Sequence, residues 1–333
     1  MSSILVLGGT SWLGGIVAET ALREGHDVTC LARGTSGEVP AGARLVVADR
    51  DDPDAYAALP GRAAYDLVVD VARQPGHVRG AVRALAERAT GWVLVSSCSV
   101  YARHDEPGAD ERAALLPALA ADVAAPEEYG EGKVACEEAV TSARGGAALV
   151  ARSGLIVGRG DPSERFGYWP GRFALAAKDG GPVLVPARVD APVQWVDVVD
   201  LAAWIVRAGL AGTTGTVNAT GRPTTLGAVL DAAAEAAGFD GERVYLDDEA
   251  LAEAGVEEFM GARSLPLWIG DPAWRAFLDR SAEAALAAGL APRALGSTMA
   301  DALAWERQLG LSRARTRAGL DRDDELAIIA RRA

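Results

Sequence analysis

The chain has 333 residues, 50% of them apolar and 24% charged, with a formal net charge of −13. Such a composition allows a large core and excludes a disordered chain. The negative balance disfavours nucleic acid as a partner, because a polyanion is repelled by the average surface field.

The first half reads as strands alternating with helices. Short apolar runs at 4–7, 28–32, 44–48, 65–71, 92–96 and 147–151 suit strands covered on both faces. Helical periodicity fills 13–23, 76–90 and 129–143, and Pro53 is placed to open a short helix. Residues 105–128 read as an irregular crossing segment, and 158–169 as a loop rich in Gly, Pro and aromatic residues. Strands follow at 183–185, 192–196 and 216–219, with helices at 198–208, 226–237, 247–255, 279–289, 298–308 and 323–332. This alternation predicts an α/β fold, a Rossmann-type doubly wound parallel sheet with a smaller, mainly helical C-terminal substrate lobe. The expected division is a dinucleotide-binding domain over 1–158, to which 192–220 returns, and a lobe from 159–191 and 221–333.

No apolar stretch reaches the ~18 residues of a membrane span, and no leader-like segment precedes the first strand. The expectation is a cytoplasmic protein with no membrane partner. Cys30, Cys98 and Cys136 lack CxxC spacing and read as small buried residues in a reducing compartment. His26, His77 and His104 are scattered and suggest no metal set.

The segment Gly8-Gly9-Thr10-Ser11-Trp12-Leu13-Gly14, set between the first strand and first helix, has the context of a dinucleotide fingerprint. Gly8 allows the tight turn, and Gly14 lets helix and strand approach. The helix N-terminus then offers free N–H groups to a pyrophosphate. Ser11 stands where a third glycine is commoner. The second strand ends in Ala32-Arg33-Gly34, with no carboxylate for a ribose 2′-hydroxyl, and Arg33 can pair with a 2′-phosphate. NADP(H) is therefore favoured over NAD(H). Asp49, ending the third strand, is either an acceptor for the adenine amino group or a helix cap. The expected cofactor set is Gly8, Thr10, Ser11, Trp12, Leu13, Gly14, Arg33, Asp49, Arg50, Val71, Tyr129 and Lys133.

Tyr129 and Lys133 lie one helical turn apart, so they share a face. A cation ~4–5 Å from a phenol favours the phenolate by roughly 3–4 kcal/mol at an effective dielectric near ~20, which suits proton transfer at neutral pH. With six tyrosines in the chain and lysine only at Lys133 and Lys178, such a pair arises by accident with a probability of about 4%. Gly130 and Gly132 weaken this helix start by up to about 1 kcal/mol each, a cost helix stability alone does not explain. The fifth strand ends in Ser96-Ser97-Cys98-Ser99, and a hydroxyl there can donate to a substrate carbonyl. Spacing alone does not choose among the three serines.

The stretches LVLGGTSWLGG, VSSCSVYA, YGEGK, ARSGLIVGRGDP and VQWVDVVDLAAW together resemble the extended and atypical short-chain dehydrogenase/reductase superfamily, in its NAD-dependent epimerase/dehydratase-like group. The resemblance spans 4–204, and VNATG at 217–221 extends it. It implies that Ser97, Tyr129 and Lys133 are the catalytic set of an NADP(H)-dependent carbonyl reductase, alcohol dehydrogenase or epimerase acting on a small polar substrate. It also implies a homodimer through helices like 76–90 and 129–143. Two departures bear on the substrate. Cys98 and Ser99 stand where sugar-nucleotide dehydratases carry an Asp-Glu pair, and Arg152-Ser153-Gly154 lacks the Asn that binds sugar nucleotides. The expected substrate wall is Ser99, Tyr101, Arg152, Ser153, Phe166, Trp169, Gln194 and Trp195. The alternative is a non-catalytic NADP-binding sensor, a class that typically loses the Tyr or Lys kept here.

Overall fold

The computed structural model describes residues 1–60 and 64–331. Its centre is a seven-stranded sheet built from β1 (Ser3–Leu7), β2 (Asp27–Ala32), β3 (Arg44–Val47), β4 (Tyr65–Asp70), β5 (Ala89–Ser97) and β6 (Leu149–Ser153), closed at one edge by a late strand, Gly215–Ala219. The order runs from that late strand through β6, β5, β4, β1 and β2 to β3, and every pairing is parallel. The strand order reverses beside β1, next to β4, and that is where such sheets open a ligand crevice at their carboxyl ends.

Both faces of the sheet are covered, which is why its strands are nearly all apolar. On one face, α1 (Trp12–Arg23) packs with a later helix, Val198–Leu210, through Leu13, Val17, Ala21, Leu201 and Trp204. On the other, α2 (Pro75–Leu85) and α3 (Tyr129–Arg144) bury Val78, Val82, Leu85, Cys136 and Val140. The three cysteines are free and buried, and burial raises the Cys30 and Cys136 thiols to about 11 and that of Cys98 to about 12.

Several boundaries differ from expectation, among them the helix expected over 279–289, which spans only Glu283–Ala287, and the strand expected over 192–196, which is split into Pro192–Val193 and Trp195–Asp197. The helix expected over 76–90 ends at Leu85, and β5 already begins at Ala89. The short helix expected at Pro53 is a 3-10 turn over Ala55–Ala58. The loop expected over 158–169 gives way at Arg165 to α4 (Arg165–Asp179), which carries Pro170 inside it. The last helix spans Arg322–Ala330, and residue 332 of the stretch expected for it lies outside the described residues.

An internal proline costs a helix ~3 kcal/mol. In α4, Phe166, Tyr168, Trp169 and Phe173 are all wholly buried from the same helix, each contributing ~1.5–3 kcal/mol. Gly167 and Gly171 face the Glu306 and Arg315 side-chain ends so closely that a Cβ would lie 2.6 and 2.9 Å from them, so larger residues there would displace those ends.

That meeting forms the second core. Phe166, Trp169 and Phe173 pack with Leu226, Val229 and Leu230 of the helix Leu226–Ala237 and with Met299 and Ala302. A two-stranded parallel pair, Val183–Pro186 with Arg243–Leu246, flanks it.

Candidate active site

The glycine turn sits at the crevice. Gly8 has φ +96°, and a Cβ there would come within 2.8 Å of Val71 Cγ2. A Cβ on Gly14 would lie 2.2 Å from the Gly8 carbonyl oxygen, a backbone clash that nothing nearby can relieve. Ser11 proves to be the N-cap of α1: its Oγ accepts from the Gly14 N–H at 3.2 Å and donates to the Gly8 carbonyl at 2.7 Å. The serine therefore fixes the turn that a glycine would only have permitted. The Gly15 N–H is taken by the Ser11 carbonyl, so the ligand-facing donors of this helix start are those of Trp12 and Leu13.

A cleft of about 160 Å³ is lined by Gly8, Thr10, Ser11, Ala32, Arg33, Asp49, Arg50, Val71 and Ala72, among others. Its cradle of close backbone approaches and free N–H groups fits a dinucleotide. Arg33 is exposed and makes no ion pair among the described residues. Asp49 is exposed and accepts from the Asp51 N–H at 3.1 Å. Arg50 is different: its guanidinium is buried, forked onto Asp70 at 2.8 Å twice, and donates also to Tyr56 Oη and the His77 carbonyl. It shapes the cleft wall and has little left for a ligand. Leu13 is likewise part of the core under α1, and the Trp12 indole N–H donates to the Arg159 carbonyl at 2.9 Å, bringing the 158–163 loop over the helix start.

Lys133 is 3% exposed, and its ammonium donates to the Ala72 carbonyl at 2.7 Å and the Val95 carbonyl at 2.6 Å. It is thus anchored to the carboxyl ends of β4 and β5, at the same Ala72 that lines the cleft. Tyr129, one turn earlier, is half-buried at the helix start, and the Arg73 guanidinium lies 5.1 Å from its ring centre. Ala72 and Arg73 are consecutive, so tyrosine and lysine face one edge of the sheet. The two early glycines of α3 explain themselves here: a Cβ on Gly130 would lie 2.4 Å from the Ser99 carbonyl, and one on Gly132 2.7 Å from Ala124 Cβ. Helix propensity is given up so that α3 can approach the serine turn.

Of the three serines, Ser96 is buried and donates to Glu137 at 2.5 Å. Ser97 and Ser99 are half-buried, with their hydroxyls 3.1 Å apart, and Ser97 Oγ accepts the Ser99 N–H at 3.1 Å. Those two retain access to a ligand.

Most of the expected substrate wall lies in the interior instead. Arg152 is buried in a fork on Glu137 at 2.8–3.2 Å and donates to Tyr101 Oη at 3.1 Å. Tyr101 in turn donates to Asn218 Oδ1 at 2.6 Å. Burial pushes the Tyr101 phenol up to about 12. Gln194 Nε2 donates to the carbonyls of Gly221 and Arg280, and its Oε1 accepts from the Arg280 N–H. Phe166 and Trp169 are wholly buried, the Trp169 indole N–H on the Pro266 carbonyl at 2.8 Å. Ser153 is buried with its hydroxyl unpartnered. Trp195 is half-buried beside a separate pocket lined by Gly221, Arg222, Pro292 and Arg293. Aromatic and polar residues close in sequence to a site turn inward when their faces complete a core, which spacing does not reveal.

A further cluster of side chains meets from distant segments. His104 stacks on Trp274 at 4.3 Å and meets Phe277 edge-on at 5.0 Å, and Phe277 meets Phe259 at 5.6 Å. The Arg165 guanidinium lies 4.7 Å from the Phe259 ring centre. Burial, helped by the Arg280 guanidinium at 2.8 Å from its Nδ1, pushes the His104 imidazole down to about 4. No sequence motif joins these residues.

A parallel sheet in this order, a glycine turn at its switch point and a Tyr–Lys pair at its carboxyl edge define a Rossmann-fold nucleotide-dependent enzyme. The model of the NAD dependent epimerase/dehydratase family matches residues 4–219, and the chain belongs to that family. It is an enzyme using a pyridine nucleotide. Solved structures share the fold. A UDP-N-acetylglucosamine 4-epimerase from Bacillus cereus is 19% identical with TM-score 0.63, covering 92% of this chain and 100% of that one. The UDP-Glc/GlcNAc 4-epimerase of Campylobacter jejuni is 16% identical with TM-score 0.67, covering 92% and 100%. The UDP-glucose 4-epimerase of Thermus thermophilus, complexed with NAD, is 20% identical with TM-score 0.60, covering 92% and 99%. No curated protein matches the chain.

Proposed function

We propose that the chain is an NADP(H)-dependent carbonyl reductase, alcohol dehydrogenase or epimerase, with Tyr129 as general acid/base, Lys133 as its electrostatic partner and ribose ligand, and Ser97 as donor to the substrate carbonyl. The observation that carries this reading is Lys133, a buried cation held by the carbonyl of the cleft residue Ala72 and by that of Val95, one turn from the half-buried Tyr129. A bound nicotinamide supplies or accepts the hydride. The chain's own groups handle the proton: Tyr129 gives it to or takes it from the substrate oxygen, with the Arg73 guanidinium 5.1 Å from its ring centre and Lys133 one turn further along α3. Ser97, held by the Ser99 N–H, is set to donate to that same oxygen as charge develops.

Arg33 supports the choice of NADP(H), because it lines the cleft and no carboxylate ends β2. The lack of an Asn beside Arg152 and of an Asp-Glu pair after Ser97 disfavours sugar nucleotides and 4,6-dehydration, so a smaller polar substrate is the reading we adopt. The reading includes a cytoplasmic setting and a homodimer through α2 and α3, which light scattering measures directly.

Two measurements test it. Native mass spectrometry of the purified protein is expected to show NADP(H) bound in preference to NAD(H). Tyr129→Phe is expected to lower turnover ~100-fold or more with the fold intact. Near-unchanged turnover would remove the acid/base assignment and leave a nucleotide-binding protein.

A further inference from the structure

The enclosed arginines of this protein are nearly all partnered. Arg50, Arg152, Arg172 and Arg315 each meet a carboxylate within 3.2 Å. Arg280 is held by the Arg103 carbonyl and by His104. Arg165, at the first turn of α4, meets no carboxylate among the described residues. Its guanidinium makes no hydrogen bond there either, and its Nε is fully enclosed. In a chain with 46 acidic residues that is a notable omission.

The carboxylates nearest in sequence are all engaged elsewhere. Asp161 accepts from the N–H and the hydroxyl of Ser163. Glu164 pairs with Arg313 at 3.0 Å and accepts from the N–H groups of Thr316 and Arg317. Holding Glu164 there requires φ +59°, a left-handed conformation that costs a non-glycine residue about 1 kcal/mol or more. The ring under the guanidinium, Phe259, has φ +63°. Two of the three strained non-glycine residues among those described thus flank Arg165, one turning its carboxylate away and one supplying the apolar face beneath. A cation–π contact is favourable, but an enclosed unpaired charge costs more than such a contact returns. Asp161 acts on this charge without an ion pair within 4.0 Å, so the balance lacks an anion in contact. Desolvation holds Arg165 below the ordinary guanidinium value, opposed first by Asp161 and then by Tyr129.

We propose that Arg165 is the specificity residue for an acidic group, a carboxylate or phosphate carried by the substrate, held between the Phe259 ring and Tyr129. The proposal rests on the reading of Tyr129 as the site centre and adds a substrate class to it: small anionic carbonyl compounds or alcohols. Neutral analogues lack the group that completes the Arg165 environment.

The test is a fluorescence titration of the NADPH-loaded protein with inorganic phosphate and with malonate. Wild type is expected to bind at least one of them. Arg165→Met is expected to weaken that binding ~10-fold or more, with NADPH affinity unchanged within about 2-fold. Arg165→Gln carries the same expectation and keeps a polar side chain should the Met variant fail to melt cooperatively. Absence of anion binding in wild type, or undiminished binding in both variants, overturns the proposal. So does a ~10-fold loss of NADPH affinity, which would assign the charge to the cofactor's phosphates. The titration involves no turnover, so it is separable from the Tyr129 reading. An Arg165-dependent anion site together with an active Tyr129→Phe would sink the catalytic assignment alone, and the reverse pattern would sink this one alone.

Discussion

The floor of the proposed site and the aromatic cluster we propose as its outer rim are held by different means. On the floor, backbone does the positioning: Lys133 is fixed by two strand-end carbonyls, Ser97 by the Ser99 N–H, and α3 sits close because Gly130 and Gly132 have no side chains. On the rim, side chains from distant segments meet: His104, Phe259, Phe277 and Trp274 stack, and Arg165 rests on Phe259. A backbone-held floor can keep one chemistry, while a side-chain rim can change its ligand by a few substitutions. This is how one fold serves many substrates.

The contrast is testable at three points. The largest effect is expected at Arg152, which belongs to neither floor nor rim but to the interior between them. Arg152→Met strands the buried Glu137 carboxylate and is expected to cost ~3–5 kcal/mol in denaturant unfolding, with KM little changed. Unchanged stability with a raised KM would return Arg152 to the substrate wall.

Next comes the floor. Lys133→Met leaves the Ala72 and Val95 carbonyls without their donor. It is expected to lower turnover ~100-fold and stability by ~1–3 kcal/mol. Turnover within a few-fold of wild type would show that the floor does not need its cation.

The smallest effect concerns the rim and pH. His104 titrates at about 4 in the fold against an ordinary 6.5, so the unfolded chain takes up the proton first. Stability is therefore expected to fall as pH drops from about 6.5 to about 4, by ~2 kcal/mol after allowance for solvent screening. His104→Gln should flatten that part of the profile. An unaltered profile would show that the imidazole is not held neutral by its burial and by Arg280.

The sheet and its crevice were legible in the sequence. Short apolar strands, a glycine turn and helices of the right period are local features, set by local propensity and by the hydrophobicity of a covered sheet. That Tyr129 and Lys133 stand one turn apart on the same helix was readable for the same reason: a helix dictates which residues share a face. The rest came from contacts made across the fold. Those contacts made a helix of a segment containing Pro170, because burial of four aromatic side chains outweighed the proline. They turned Arg152, Tyr101, Trp169 and Gln194 inward, because each found partners far along the chain. They left Arg165 without an anion, because Glu164 was drawn to Arg313 and the backbone at 316–317. Pairing between distant side chains is set by packing, and packing has no period to read.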